Sequence, residues 1–461
     1  MVVSTLVPPA MTPFLASLSQ SARALPANLR RALSPGTASD GGIPARPLRR
    51  GFLGHLHALQ VAERTLRPTA TFGLGVASLT LLLLLSASGG LLMTYYAPTP
   101  RDAYASMQDL EHAAALGSFL RALHRWTAHA LVLAAALHLA RVAATASYRR
   151  RELNWLIGLG LLGSILALAF TGYLLPWDQL SYWAVSVSAA LLDHAPIAGS
   201  FAKRLLLGGP SIGPATLLRF YTLHVAILPA LVFALGALHL FRIRRDGGLA
   251  GTARGDAVIS AWPHLVLREA ALATSIAALA GLAALLFPAP LGAPANPHVP
   301  SDPEKAPWYF LWLQELVSSS ALAGGLLFPS ALAAALFTLP FLDREEAGLG
   351  RWLPGPRARR AIAGSALIAA LAFAALEWLA WLAPTGALAA APDLVNPASG
   401  MLALALAAFF ASGLSTGSTR AASLALIAVL AVAVVGALGV GLCRGPGWAL
   451  TWPWEAWPRV D

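Results

Sequence analysis

The chain has 461 residues, 57% of them hydrophobic and 11% charged, a balance that excludes a soluble fold with an ordinary polar surface. Its net charge of +11 does not point to nucleic acid, because the basic residues gather in alternate loops between apolar runs, the pattern that orients a polytopic membrane protein. One cysteine, Cys443, excludes an intrachain disulfide and a cysteine-ligated cluster, and without a CxxCH motif the chain lacks that route to a covalent c-type haem.

Residues 1–50 are rich in Pro, Ser, Ala and Arg with no sustained apolar run, and they read as a flexible cytoplasmic tail rather than a cleaved targeting segment. Apolar runs long enough to cross a bilayer, about 20 residues each, follow near 70–96, 119–146, 155–175, 216–242, 262–287, 320–342, 360–383 and 422–442. The expected fold is an all-α, polytopic transmembrane helical bundle of eight spans. A shorter run at 400–413 fits a ninth span, a re-entrant segment or an interfacial helix. Arg149, Arg150 and Arg151, then Arg242, Arg244, Arg245 and Arg254, then Arg351, Arg357, Arg359 and Arg360 share one side with the Arg-bearing tail. That side should be cytoplasmic. The opposite loops carry Asp102, Asp109, Glu111, Asp178, Asp193, Asp302 and Glu304 and should face outward. The stretch 443–460, with Trp448, Trp452, Trp454 and Trp457, suits an interfacial anchor or a contact with a neighbouring subunit.

Histidine recurs in two of these spans. His124 and His138 are fourteen residues apart, which on a helix turning 100° per residue returns a side chain to within about 40° of its starting face, roughly 21 Å further along. His224 and His239 repeat the arrangement at fifteen. If both helices cross in the same direction, His124 lies level with His224 and His138 with His239. Each level can then ligate one iron, since two neutral imidazoles hold a haem between helices without bringing charge into lipid. A single histidine in such a helix is more often interhelical hydrogen-bond glue; four at matched depth favour ligation. His129, about 140° around the helix from His124, reads as packing, as do His55, His57, His112, His194, His264 and His298 in tails, loops and helix ends.

Haem propionates seek cations near the membrane faces. Arg121 precedes His124 by three residues and Arg141 follows His138 by three, so each can reach the outer edge of its own haem. A flat macrocycle also needs gaps where no side chain projects. Gly75 and Gly89 in the first span, and Gly158 and Gly172 in the third, are fourteen apart and open two windows each at the histidine spacing.

With His124, His138, His224 and His239, the two glycine pairs, GYLLPWDQLSYWA at 172–184 and LLRFYTLH at 217–224 in view, the chain resembles cytochrome b of the quinol-oxidising Rieske/cytochrome b complexes from about residue 60 to 345. The fifteen-residue step and the PWDQ form look like the photosynthetic bf type, whereas the joining of the two halves in one chain resembles the respiratory arrangement. The resemblance implies that His124 and His224 bind an outer, low-potential b-type haem and His138 and His239 an inner, high-potential one, forming a di-haem four-helix core. It divides the chain into a di-haem domain at 51–250, a subunit-IV-like domain at 251–345 and additional spans with the tail at 346–461. It further implies two quinone sites, a Rieske iron–sulfur protein and a c-type cytochrome or similar acceptor as partners, a homodimer, and a bacterial cytoplasmic membrane with the N-terminus inside.

Near the outer site, Tyr173, Pro176, Trp177 and Asp178 match the loop that lines quinol oxidation, and Gly208-Gly209 matches the region where the Rieske head docks. The family's Pro-Glu-Trp-Tyr motif corresponds to EKAPWYFLWLQEL at 304–316. Trp308 and Tyr309 remain there, but Pro307 replaces the carboxylate that helps take a proton from quinol. Glu315, in a run where a carboxylate is costly unless functional, is the favoured substitute, and Glu304 the other. At the inner site, Arg268 and Glu269 in PHLVLRE stand at the spacing of the family's Lys-Asp pair; a cation there steadies quinone charge and a carboxyl delivers a proton. A surface salt bridge at a helix start is the plain alternative for that pair. Arg244 matches a basic residue of the photosynthetic type. Gly73 stands where that type attaches an extra haem through cysteine, so no covalent haem is expected. The function implied is the quinol-oxidising subunit of a bacterial respiratory-type bc complex. The rivals are a di-haem anchor of another quinone-linked oxidoreductase and a transporter using its histidines as a proton relay.

Overall fold

The computed structural model describes residues 11–33, 59–246, 248–249, 256–299, 305–343, 345, 348–353, 355–382 and 396–451. In chain order the helices are α1 (Met11–Leu33), α2 (Leu74–Met93), α3 (Ala103–His112), α4 (Gly117–Ala144), α5 (Glu152–Tyr173), α6 (Gln179–Leu191), α7 (Gly199–Leu207) and α8 (Pro214–Arg245). There follow α9 (His264–Leu286), α10 (Trp308–Ser319), α11 (Ala323–Leu342), α12 (Pro356–Leu382), α13 (Pro397–Thr416) and α14 (Thr419–Leu442). Among the described residues nine helices are long and apolar enough to cross a membrane: α2, α4, α5, α8, α9 and α11–α14. The fold is thus an all-α polytopic bundle, relieved by one short antiparallel pair in which β1 (Gln60–Ala62) meets β2 (Val258–Ser260).

The ninth span is α13, which covers the 400–413 run that the sequence left open. Local chemistry fixes its ends. Asn396 and Ser399 cap each other reciprocally, Pro397 occupies the first turn, and Gly417 closes the helix at φ 70°; an N-cap of this kind stabilises by about 1 kcal/mol. Ser418 then caps α14, so two helices fold into a tight hairpin whose faces meet through Ala405, Ala408, Ala425, Ala433 and Ala437, all buried. Small side chains allow this close approach where lipid supplies no hydrophobic drive.

The N-terminal expectation needs correction. Met11–Leu33 forms a helix rather than a flexible tail, and its Phe14 is fully buried, 5.8 Å from the Phe409 ring and seated over Gly413, where a Cβ would collide with it. The apolar partner lies some 400 residues away in sequence, which local composition does not reveal. His55, His57 and Arg254 lie outside the described residues.

Helices α2 and α4 pack together, as do α5 and α8, with α9 laid against α2 and α4. Two spans carry a π turn, Leu223–Ile227 in α8 and Ala323–Leu327 in α11. Each ends two residues before a proline, Pro229 or Pro329, whose missing N–H interrupts the regular ladder. The first of these turns contains His224.

At the end of the bundle bearing the basic loops, Asp343 is fully buried. It accepts hydrogen bonds from Tyr148 Oη and Arg420 Nε, both at 2.7 Å, and its backbone carbonyl accepts from Arg149 at 2.6 Å. Burial and the neighbouring carboxylate push the Tyr148 phenol well above its ordinary range, so it remains a donor. This network ties α14 to the loop after α4. Asp343→Ala takes from Arg420, itself 2% exposed, its paired carboxylate and should cost about 3–5 kcal/mol, read as a lowered thermal midpoint in detergent; Asp343→Asn should cost less.

Candidate functional site

Four histidines meet in two couples. His124 on α4 faces His224 on α8 with ring centres 6.1 Å apart, and His138 faces His239 across the same two helices at 6.5 Å. A metal held between two imidazole nitrogens at about 2 Å each sets ring centres roughly 6 Å apart, so both separations fit a bis-imidazole iron. The Nδ1 of His124 lies 3.0 Å from Ser88 Oγ and that of His224 lies 3.0 Å from the Leu168 carbonyl, which orients the rings and leaves Nε2 of each available to a metal. His138 Nδ1 is buried without such a partner. Among the described residues no group of three or more His, Cys, Asp and Glu gathers; each couple offers two imidazole donors and would suit a macrocycle that supplies the remaining ones.

The glycines sort onto the same levels. A Cβ on Gly89 would come within 3.1 Å of the His124 ring, and one on Gly172 would overlap His224. At the other level Gly75 faces His138 at 3.8 Å and Gly158 faces His239 at 3.6 Å. All four therefore border the imidazole couples.

The charged neighbours are more committed. Arg121 is buried and ion-paired with Glu111; Arg141 donates to the Ala70 carbonyl, with its Nε buried and unpartnered. Arg244 sits half-buried at the end of α8. Arg268 donates to the Leu66 carbonyl at 2.7 Å and lines a cavity of about 510 Å³ with Glu63, Arg64, Arg67 and Asp256; Glu269 beside it is half-buried and outside that lining.

The PWDQ loop is pinned. Asp178 caps α6 by accepting from Ser181 N–H at 2.9 Å, and its other oxygen accepts from Gly292 N–H at 3.1 Å. Gln179 N–H donates to the Ala293 carbonyl at 2.8 Å and Ala295 N–H to the Trp177 carbonyl at 3.1 Å. Trp177 is nearly buried and takes a positive φ of 53°, a conformation that a bulky residue holds only when its surroundings over-determine it. Pro176 and Tyr173 lie half-buried at the end of α5. Gly208 ends α7 at φ 78°.

Glu315 does not point to this loop. It is 2% exposed and grips Arg444, which donates to it through Nε at 3.0 and 3.1 Å and also through a terminal nitrogen; Glu377 stands 4.0 Å from Arg444. Nine crossings bring Arg444 to the same end as α10, which eight would not. Tyr309 instead packs against His129, ring centres 5.4 Å apart. Sequence reasoning missed Ser88, Arg444 and the His129 contact: Ser88 adjoins Gly89 and had a local signal, the other two had none. Glu304, Trp452, Trp454 and Trp457 lie outside the described residues.

A family profile described as Cytochrome b/b6/petB matches residues 64–247. Cytochrome b6 of Synechococcus elongatus is 41% identical over 175 residues, 38% of this chain and 81% of that one; cytochrome b6 of Heliobacterium mobile is 42% identical over the same length, covering 82% of it. Among solved structures, a chain of a "Hyperthermophilic respiratory Complex III" superposes with a TM-score of 0.62 at 25% identity, over 78% of this chain and 94% of that one.

Proposed function

The chain belongs to the cytochrome b/b6 family of membrane electron-transport proteins, and on that footing we propose that it is the di-haem cytochrome b subunit of a bacterial quinol:cytochrome c, or similar acceptor, oxidoreductase. Two facing imidazole couples at two depths of one helix pair, each bordered by glycine, carry this reading. His124 with His224, and His138 with His239, would hold two noncovalent b-type haems. Bound there, the haems would pass single electrons between the membrane faces.

Ser88 and the Leu168 carbonyl set the ring orientation of the outer couple, and Arg121, in competition with its Glu111 pair, and Arg141 would offer positive charge at the two ends for propionates. At the outer face Tyr173, Pro176 and Trp177 would wall the quinol site, with Asp178 holding that wall to the 292–295 strand of loop. At the inner face Arg268, Glu269 and Arg244 would bind the quinone that accepts the returning electron. Quinol oxidation would then send one electron to a Rieske iron–sulfur protein and the other across the membrane, releasing protons outside and taking them up inside. The domain division at 51–250, 251–345 and 346–461, the homodimer and the inner-membrane orientation with basic loops in the cytoplasm belong to the same proposal.

A purified complex tests it. Added quinol should reduce both haems, an outer-site quinol analogue should block that reduction, and an iron–sulfur protein should co-purify. Haems that quinol leaves oxidised would favour an anchor of another oxidoreductase; no haem would favour a transporter.

A further inference from the structure

Quinol oxidation needs a group that takes a proton from a hydroxyl as the electrons leave. Among the described residues the candidate carboxylates are committed elsewhere: Asp178 caps α6 and accepts from Gly292, and Glu315 is clamped by Arg444; Glu304 lies outside the described residues. Burial pushes the Tyr309 phenol up to about 12, against the pull of Arg125, so Tyr309 is a donor rather than a base at neutral pH. Against Tyr309 lies an imidazole. His129 is half-buried on α4, five residues and about 7.5 Å beyond His124 along the helix. Its ring centre is 5.5 Å from Trp126 and 5.4 Å from Tyr309. The aromatic wall continues from Tyr309 to Phe310 at 4.9 Å and on to Phe170 at 6.3 Å, three residues before Tyr173 on the same helix. His129 thus joins the helix that carries the outer couple to the wall that ends at the outer loop.

We propose that His129 is the proton acceptor of the outer quinol site, a catalytic residue that touches the substrate hydroxyl; this rests on the quinol-oxidation reading above. One quinol O–H bond breaks and its proton goes to an imidazole nitrogen of His129. The two electrons would leave singly, one toward the haem that His124 and His224 would hold and one, with the second proton, to the Rieske-type iron–sulfur partner. The groups that face the imidazole are Tyr309 from α10 and Arg125 from its own helix. A neutral imidazole is the active form, so the rate rises with pH as His129 loses its proton.

A packing role predicts a different outcome, which His129→Phe separates because the ring contacts survive while the base is lost. In the purified complex, with haem content checked spectroscopically, His129→Phe should slow quinol-driven haem reduction about 100-fold and abolish the acid limb of the pH–rate profile. His129→Glu should recover most of the rate with that limb displaced. Independently of turnover, 2-hydroxy-1,4-naphthoquinone, whose acidic hydroxyl would give its proton to the imidazole, should bind about 10-fold more weakly to His129→Phe. A wild-type rate, acid limb and affinity in His129→Phe would overturn the proposal, as would an acid limb that disappears in Glu315→Gln instead. Absence of quinol-driven reduction in the unaltered protein would overturn the quinol reading itself, a separate failure recognised before any variant is made.

Discussion

Replacing His224 by alanine should halve the haem content, leaving one haem per chain at the inner couple, and should abolish quinol-driven electron transfer across the membrane. The reason is geometric. His224 and His124 face each other at 6.1 Å, so removing one ring takes away one of the two imidazoles that would hold the haem, and no third His, Cys, Asp or Glu joins the remaining one among the described residues. The inner couple sits about four turns away and keeps both rings. Pyridine haemochrome analysis reads the stoichiometry directly, and a wild-type value would show that His224 is not a ligand. Gly172→Val should imitate the loss through crowding, since even a Cβ there overlaps the His224 ring.

Arg444→Ala should be among the most destabilising single changes outside the haem core. It leaves Glu315, 2% exposed, without its cation and with Glu377 nearby, and breaking a buried pair from one side costs about 3–5 kcal/mol. The double variant Glu315→Gln, Arg444→Ala should recover much of that loss, because position 315 then carries no unpaired buried charge. Thermal midpoints in detergent supply the double-mutant cycle. Additive effects would show that the pair contributes no coupling, and with it would fall the view that this contact fastens α14 to α10.

The sequence made the helical core legible because its signals are periodic. Fourteen- and fifteen-residue histidine steps and fourteen-residue glycine steps are multiples of the helical turn, so shared faces and shared depth could be read from numbers alone. Site assignments at the loops were less legible. The carboxylates of Asp178 and Glu315 looked chemically available, yet one is consumed by capping and a cross-loop bond to Gly292 and the other by Arg444, 129 residues downstream. Long-range ion pairs leave no periodic trace. The same holds for Phe14, whose partner is Phe409, and for the contact of His129 with Tyr309. The run at 400–413 was too short by composition to declare itself; its capping residues Asn396, Ser399 and Gly417 complete the span.

The most direct test of two imidazole-bound irons at two depths is a redox titration of the purified protein followed in the reduced haem band, with electron paramagnetic resonance of the oxidised form. Two low-spin components per chain, titrating at separate midpoint potentials, are expected. A single component, a high-spin signal from five-coordinate iron, or no haem at all would contradict the account.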